Sequence, residues 1–316
     1  MGRVSHVGIF GAGSIGTAFA LLFADAGFAV RIFDPDPSAL ERSRHVIDQR
    51  ITELQRFTLL ASNPSEVREL IEIVSSARTA ASGAILVQEA GPEDVQTKQH
   101  IFEDLTAVTS DETILASASS AIPSSRFVDV HSAFRSLIGH PGNPPYLLRV
   151  VELVGNPSTE EQTILRAGQL YEQAGLSAVR VNREVDGFVF NRIQGAVLRE
   201  AYALVGAEII DPMDLDTLVQ DGLGLRWSVA GPFATVDLNV RGGITAHAER
   251  MGSAYHRMAG ALDTSKEWTD TLVAKVNCSR RKAVPLEQWD QAVADRDTQL
   301  MKQLNARTSN GGTTRD

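Results

Sequence analysis

Six residues near the start constrain this chain more than any others. Val4 to Phe10 is an apolar run of strand character, Gly11-Ala12-Gly13-Ser14-Ile15-Gly16 follows at once, and Thr17 to Ala26 reads as an apolar helix stopped by Gly27. A second strand-like run, Ala29 to Phe33, ends at Asp34, 18 residues beyond Gly16. The glycines have separate tasks. Gly11 permits a tight turn, Gly13 lets a pyrophosphate approach the backbone, and Gly16 lets the helix lie close on the strand. The helix then opens with free amide groups, so the turn from Gly11 through Ala12, Ser14 and Ile15 to Gly16 faces phosphate charge. Asp34 accepts from ribose hydroxyls and repels a 2′-phosphate. The pattern predicts a dinucleotide site that takes NAD rather than NADP. A flavodoxin-like turn that binds nothing and an FAD site are the alternatives, and no flavin domain is apparent.

The uncharged stretch Val7 to Ala24 imitates a membrane span or a secretory signal, but it holds four glycines and Asp25 ends it early. Strands are predicted at Ile71–Ser75, Ala84–Gln88, Thr113–Ala116, Ser136–Gly139, Arg149–Leu153 and Ala178–Val181. Helical patterns stand between several of them, notably Pro92–Val108 and Glu160–Ala174. Ser38 with Glu41 has the form of a capping box for a helix running to about Arg56. Strand alternating with helix predicts a doubly wound, mostly parallel sheet of Rossmann type.

The texture changes near Arg183. From Glu184 onward long helical patterns take over, including Phe188–Glu208, Trp289–Asn305 and a helix opened by Asp211-Pro212. The expected organisation is a nucleotide-binding domain over 1–183, an all-helical domain over 184–307, and a disordered Ser/Thr/Gly-rich tail over 308–316. At 316 residues two domains are usual. Thirty basic residues against 39 acidic ones give a net charge of −9, which disfavours general nucleic-acid binding. The single cysteine, Cys278, excludes an internal disulfide and a thiolate metal cluster, and no other metal-ligand cluster is present. The expectation is a cytoplasmic protein with no metal, no nucleic-acid partner and no membrane partner.

Of the seven histidines, His6, His45, His100, His247 and His256 fit a strand or polar helical faces. His140 differs. It follows Leu137-Ile138-Gly139 and precedes the rigid Pro141, Asn143, Pro144 and Pro145, at the carboxyl end of a strand where open α/β sheets bind ligands. Twelve residues on, Glu152 lies in the apolar strand Arg149-Val150-Val151-Glu152-Leu153-Val154. A carboxylate there needs a partner, and an imidazole on the neighbouring strand satisfies both. From these residues alone, a structural His–Glu pair and a catalytic one stand level.

The motifs GAGSIG, VQEAGPEDVQTK, LASASS, HPGNPPYLLRVVELV and DGFVFNRIQGAVLREA, in this order, resemble the 3-hydroxyacyl-CoA dehydrogenase family. GLGLRW, GPFATVDLN and AKVN resemble its λ-crystallin / L-gulonate 3-dehydrogenase branch. The likeness runs from Val4 to about Asn305. It implies that His140 is the general base and Glu152 its orienting partner. Ser120 and, from the second domain, Asn191 would hydrogen-bond the reacting oxygen, and Glu93 and Lys98 would contact the cofactor. Hydride transfer from a carbinol to a nicotinamide suits a near-neutral histidine steadied by a carboxylate.

Two departures from the family pattern stand out. Ala118 replaces an Asn that members often carry two residues before the serine. The acyl-CoA branch holds its CoA with a serine and a lysine after the second strand, whereas Arg50 to Leu60 offers Arg50 and Arg56 but no lysine. The expected function is therefore oxidation of a small free 3-hydroxy acid, with L-gulonate leading. A 3-hydroxyacyl-CoA dehydrogenase, a crystallin-like structural protein and an L-carnitine dehydrogenase are the alternatives. Arg226, in the glycine-rich turn Gly222–Trp227, is the candidate partner for the acid's carboxylate, since a guanidinium binds one with two parallel hydrogen bonds. The apolar set Phe188, Ile193, Val197 and Leu204 predicts a homodimer through the helical domain or, as readily, an ordinary core.

Overall fold

The computed structural model describes residues 6–309. Its first half alternates strand and helix: β1 (His6–Phe10), α1 (Ser14–Asp25), β2 (Ala29–Phe33), α2 (Pro37–Arg56), α3 (Pro64–Glu69), β3 (Ile71–Ile73), α4 (Ala77–Ala81), β4 (Ala84–Glu89), α5 (Val95–Val108), β5 (Ile114–Ser117), β6 (Ser136–Pro141), β7 (Val150–Gly155), α6 (Glu161–Gln173) and β8 (Ser177–Val181). The eight strands form one sheet in the order β3-β2-β1-β4-β5-β6-β7-β8. Neighbours from β3 across to β6 pair in parallel; β7 runs antiparallel to β6, and β8 runs parallel to β7. The sheet is thus a doubly wound, mostly parallel Rossmann sheet. The order reverses at β1, whose neighbours are β2 and β4, and that switch point is where such sheets open a crevice.

Helix α1 is apolar nearly all round because it is buried nearly all round, from Gly16 through Asp25. Its Phe19 and Phe23 meet the fully buried Tyr171 of α6 at ring-centroid distances of 5.9 and 5.8 Å. Buried Asp25 at its end accepts the amides of Ala61 and Ser62 at 2.9 Å, so the charge is hydrogen-bonded where it lies. Gly27, at φ 87°, turns the chain out of α1 into β2.

Several local readings need correction. The cap of α2 is Asp36, which accepts the Ser38 amide at 2.8 Å, with Pro37 in the first turn. Ser38 is already helical and donates its hydroxyl to Asp36, so no Ser38–Glu41 capping box forms. Asp-Pro wins because proline's fixed φ suits the first helical position. The stretch around Arg226 is not a turn. Val219–Gly224 is a π-helical turn that continues into α9 (Leu225–Trp227) after α8 (Pro212–Leu218) and α7 (Phe190–Gly206). Neither Gly222 nor Gly224 has a positive φ, and both glycines stay in the helix.

Two compact units result. One comprises the residues up to Arg192 together with those from Asp295 onward; the other is Ile193–Ala294. The second unit is helical in its described elements, including α10 (Pro232–Asn239), α11 (Gly243–Ala259) and α12 (Asp270–Ala283). By its contacts the first unit runs on to Arg192, and α13 (Trp289–Ser309) brings the chain back to it. Met301 of α13 joins that unit's main core, with Leu300 and Leu304 packed against it. Of the tail expected to be disordered, Thr308 and Ser309 end α13 and the remainder lies outside the described residues.

Candidate active site

The glycine turn is built by steric exclusion. Gly11 has φ 111°, and a Cβ there would lie 2.6 Å from the Ala90 carbonyl oxygen. At Gly16 a Cβ would lie 1.9 Å from the Gly11 carbonyl oxygen, so helix and turn are too close for any side chain. Gly13 differs, with no atom within 4 Å of its Cβ position, which leaves its backbone open to a ligand. Asp34 accepts the Ala12 amide at 2.7 Å through one oxygen and the Asp36 amide at 2.8 Å through the other. Each oxygen keeps a further lone pair for a ribose hydroxyl. Gly11 to Gly16 and Asp34 fit NAD: an open glycine backbone, the free amides at the start of α1 and a fixed carboxylate lie at one edge of the sheet.

On the other side of the switch, His140 and Glu152 are direct partners across the antiparallel pair β6 and β7. His140 Nδ1 lies 2.8 Å from Glu152 Oε2, and both side chains are buried. Glu152 Oε1 accepts the amides of Val189 (2.8 Å) and Phe190 (2.9 Å) at the start of α7. Burial pushes the Glu152 carboxyl up, but the His140 hydrogen bond and the two amides together outweigh it and hold the group below its ordinary value. Phe188 and Phe190 flank the imidazole, with ring centroids at 5.7 and 6.2 Å. Phe188 is fully buried in the first unit's core, so it leaves the set of expected dimer residues.

Gly139 precedes His140 for a reason the sequence hides. A Cβ there would lie 2.3 Å from the Tyr171 hydroxyl oxygen. That hydroxyl donates to Gln88 Oε1, and burial raises the Tyr171 phenol far above its ordinary value. Gln88, Gly139 and Tyr171 back the strand that carries His140.

Ser120 is exposed in the loop after β5, and its carbonyl oxygen accepts Asn191 Nδ2 at 2.8 Å. Those two expected substrate contacts are brought together, and Asn191 lies in the first compact unit. Glu93 Oε1 accepts the Ser119 hydroxyl (2.7 Å) and the amides of Ser120 and Ala121 (2.9 Å each). Lys98 lies 3.8 Å from Glu93 Oε2. It is 1% exposed and donates to both oxygens of the fully buried Glu89, at 3.0 and 2.9 Å. The turn from β4 into α5 brings this lysine back over the carboxylate at the end of β4. Ala118 is half-buried against the main core and donates its amide to the Glu89 carbonyl oxygen. Arg226 is exposed in the second unit. Among the described residues no group of three or more potential metal ligands comes together.

The family model for the 3-hydroxyacyl-CoA dehydrogenase NAD-binding domain matches residues 6–185, and the model for that family's C-terminal domain matches 187–285. λ-Crystallin of Oryctolagus cuniculus is 35% identical over 282 residues, covering 88% of each chain. L-Carnitine dehydrogenase of Streptomyces coelicolor is 33% identical over 310 residues, covering 96% of this chain and 95% of that one. Among solved structures, 5-formyl-3-hydroxy-2-methylpyridine 4-carboxylic acid 5-dehydrogenase, an NAD+-dependent dismutase, superposes with a TM-score of 0.82 at 27% identity, covering 98% of this chain and 99% of that one. The chain belongs to the 3-hydroxyacyl-CoA dehydrogenase family and is an NAD-dependent oxidoreductase that acts on a hydroxyl group.

Proposed function

We propose that the protein oxidises the 3-hydroxyl of a small free hydroxy acid, with L-gulonate as the leading substrate, and that His140 is the base. The observation that carries this reading is the in-register His140–Glu152 pair. Glu152, ionised and acceptor-only, fixes the proton on Nδ1 and thereby leaves the Nε2 lone pair as the ring's acceptor. No described residue hydrogen-bonds Nε2. The imidazole takes the substrate's hydroxyl proton there, and Glu152 stabilises the imidazolium that forms. Bound NAD supplies the hydride acceptor. The Ser120 hydroxyl and the Asn191 amide hydrogen-bond the reacting oxygen and orient the carbinol.

The free acid is favoured over a thioester by the surroundings of α2. Arg50, the cation nearest to the family's CoA-holding position, is paired with Glu53, stacks over Tyr146 at 5.5 Å and lies 3.8 Å from Asp297 of α13. Two carboxylates already engage its charge, one of them from the returning helix α13. L-Carnitine is also a free 3-hydroxy acid, so the relative of that name fits the same class. Arg226 is the proposed partner of the carboxylate.

A homodimer belongs to the same proposal. In the second unit Ile193 is 56%, Phe233 80%, Leu238 79% and Val229 89% exposed. Large apolar side chains on the outside of one small unit mark a protein interface. A cytoplasmic setting is also proposed, on the single cysteine and on the finding that no described helix is long and apolar enough to cross a membrane.

The test is an initial-rate screen with NAD against L-gulonate, L-carnitine, 3-hydroxybutyrate and 3-hydroxybutyryl-CoA. Turnover of L-gulonate above the thioester supports the proposal. Efficient turnover of the thioester alone overturns it.

A further inference from the structure

Phe188 holds a backbone conformation that its own side chain resists. It and Gly187 are consecutive left-handed residues, with φ 50° and 75°. Glycine takes that region freely, whereas a bulky side chain there is a steric outlier. The pair sits in the turn that delivers α7, closed by the Phe188 amide on the Val185 carbonyl oxygen at 3.0 Å. Before the kink the turn is anchored by other means. Glu184 accepts the Ser125 amide at 2.9 Å, and Arg126 donates to both oxygens of Asp186 at 2.9 and 3.0 Å. The Gly187 amide reaches the Ala121 carbonyl oxygen at 3.3 Å.

Beyond the kink the next two amides, of Val189 and Phe190, both donate to Glu152 Oε1. They open α7, where amides have no acceptor inside the helix. Glu152, from a strand, thus closes the start of a 17-residue helix, and that helix end favours its negative charge. The Phe188 ring is fully buried. It shares a core cluster with Ile138 and Val154. Those two face each other across β6 and β7, one same-face step from the His140–Glu152 rung. The ring centroid lies 5.7 Å from that of His140. Strain at a bulky residue persists only where its surroundings over-determine it, and such outliers gather at functional sites. Here the seat of the ring, beside the rung, does so.

We propose that Phe188 is a positioning residue for Glu152. Its seated ring locks the left-handed kink that aims the Val189 and Phe190 amides at the carboxylate, and Glu152 so held orients the His140 imidazole. The proposal rests on the reading of His140 as the base. Being fully buried, the ring acts only through its neighbours.

The test compares wild type with Phe188→Leu, Phe188→Ala, His140→Ala and the double variant Phe188→Ala/His140→Ala. The readouts are amide hydrogen exchange at Val189 and Phe190, NADH binding by fluorescence titration, and initial rates with NAD and the best-used substrate of the initial-rate screen. In Phe188→Ala exchange at the two amides should quicken by about tenfold or more. Its kcat should fall about tenfold to a hundredfold, with substrate KM and NADH Kd within about threefold of wild type. Phe188→Leu, which keeps an apolar body in the ring's seat, should hold kcat within about threefold of wild type. In the His140→Ala background, Phe188→Ala should cost less than about threefold, because a residue that acts through the imidazole has nothing left to position. A merely structural ring would lower the melting temperature and leave both exchange at 189 and 190 and kcat of the folded enzyme unchanged, which overturns the proposal. A roughly tenfold further loss in the His140→Ala background overturns it too, since Phe188 would then act elsewhere. Full activity of His140→Ala strikes the assignment of the base, and exchange still decides whether Phe188 holds the amides on Glu152. Should Phe188→Ala fail to fold, Phe188→Gly removes the ring together with the strain. Unchanged exchange in that variant likewise overturns the proposal.

Discussion

An imidazole that donates Nδ1–H to a buried carboxylate has one nitrogen left to do chemistry. Replacing His140 by alanine should lower kcat by about 10²–10⁴-fold, the usual contribution of a positioned base. NADH affinity measured by fluorescence should hardly change, because the glycine turn and Asp34 lie on other strands. At Arg226 the expectation concerns substrate class. Arg226→Met should raise the KM for a free 3-hydroxy acid by about tenfold, from loss of a charged hydrogen bond worth ~1.5–3 kcal/mol. The same variant should leave the kcat/KM for 3-hydroxybutyryl-CoA, whatever its size, as in wild type. An unchanged KM for the acid removes the guanidinium from the site. At this scale the sequence was most readable where the absence of a side chain carries the message, as at Gly11 and Gly16. The pairing of Lys98 was not legible, because Glu89 is nine residues away and becomes its neighbour only through the turn from β4 into α5.

At the scale of elements, β6 and β7 place the base and its partner, and both strands depend on what lies behind them. Gly139→Ala drives a methyl into the Tyr171 hydroxyl oxygen, 2.3 Å from the new Cβ, in a site with no slack. Overpacking of that kind should lower stability by about 1–3 kcal/mol, measured by denaturant unfolding. Glu152 gives β7 a pH signature. Its folded pKa lies below its ordinary value of 4.5, so the native state binds that proton more weakly than the unfolded chain does. Its contribution is therefore complete above about pH 4.5 and is lost as the pH falls through the depressed native value. In Glu152→Gln the melting temperature should lose this acid dependence, and wild type and variant should converge as the pH falls through the depressed native value. The strand pattern and the His140–Glu152 register were legible because alternation and apolar runs report β-structure directly. The start of α2 and the helical path through Gly222 and Gly224 were not, since Asp36-Pro37 outcompetes Ser38 and a glycine in a helix looks like a turn.

Over the whole molecule, the sequence conveys the order of strands and helices but not which parts close upon each other. The change of texture near Arg183 marks where the sheet ends, whereas the first compact unit extends to Arg192 and takes in residues from Asp295 onward. Nothing in the amphipathic pattern of α13 distinguishes a helix that docks on its own domain from one that docks on a distant one. The proposed dimer is checked by light scattering at micromolar protein, which should give twice the chain mass. Replacing Phe233 and Leu238 by charged residues should shift the mass toward the monomer. The return of α13 also has a consequence for the order in which the protein is made. A ribosome releases the sheet and its helices first, yet Met301 and Asp297, which complete that unit beside Ile47 and Arg50, emerge only after the entire intervening helical unit. The nucleotide-binding half must therefore keep its apolar seam uncovered until α13 has left the exit tunnel.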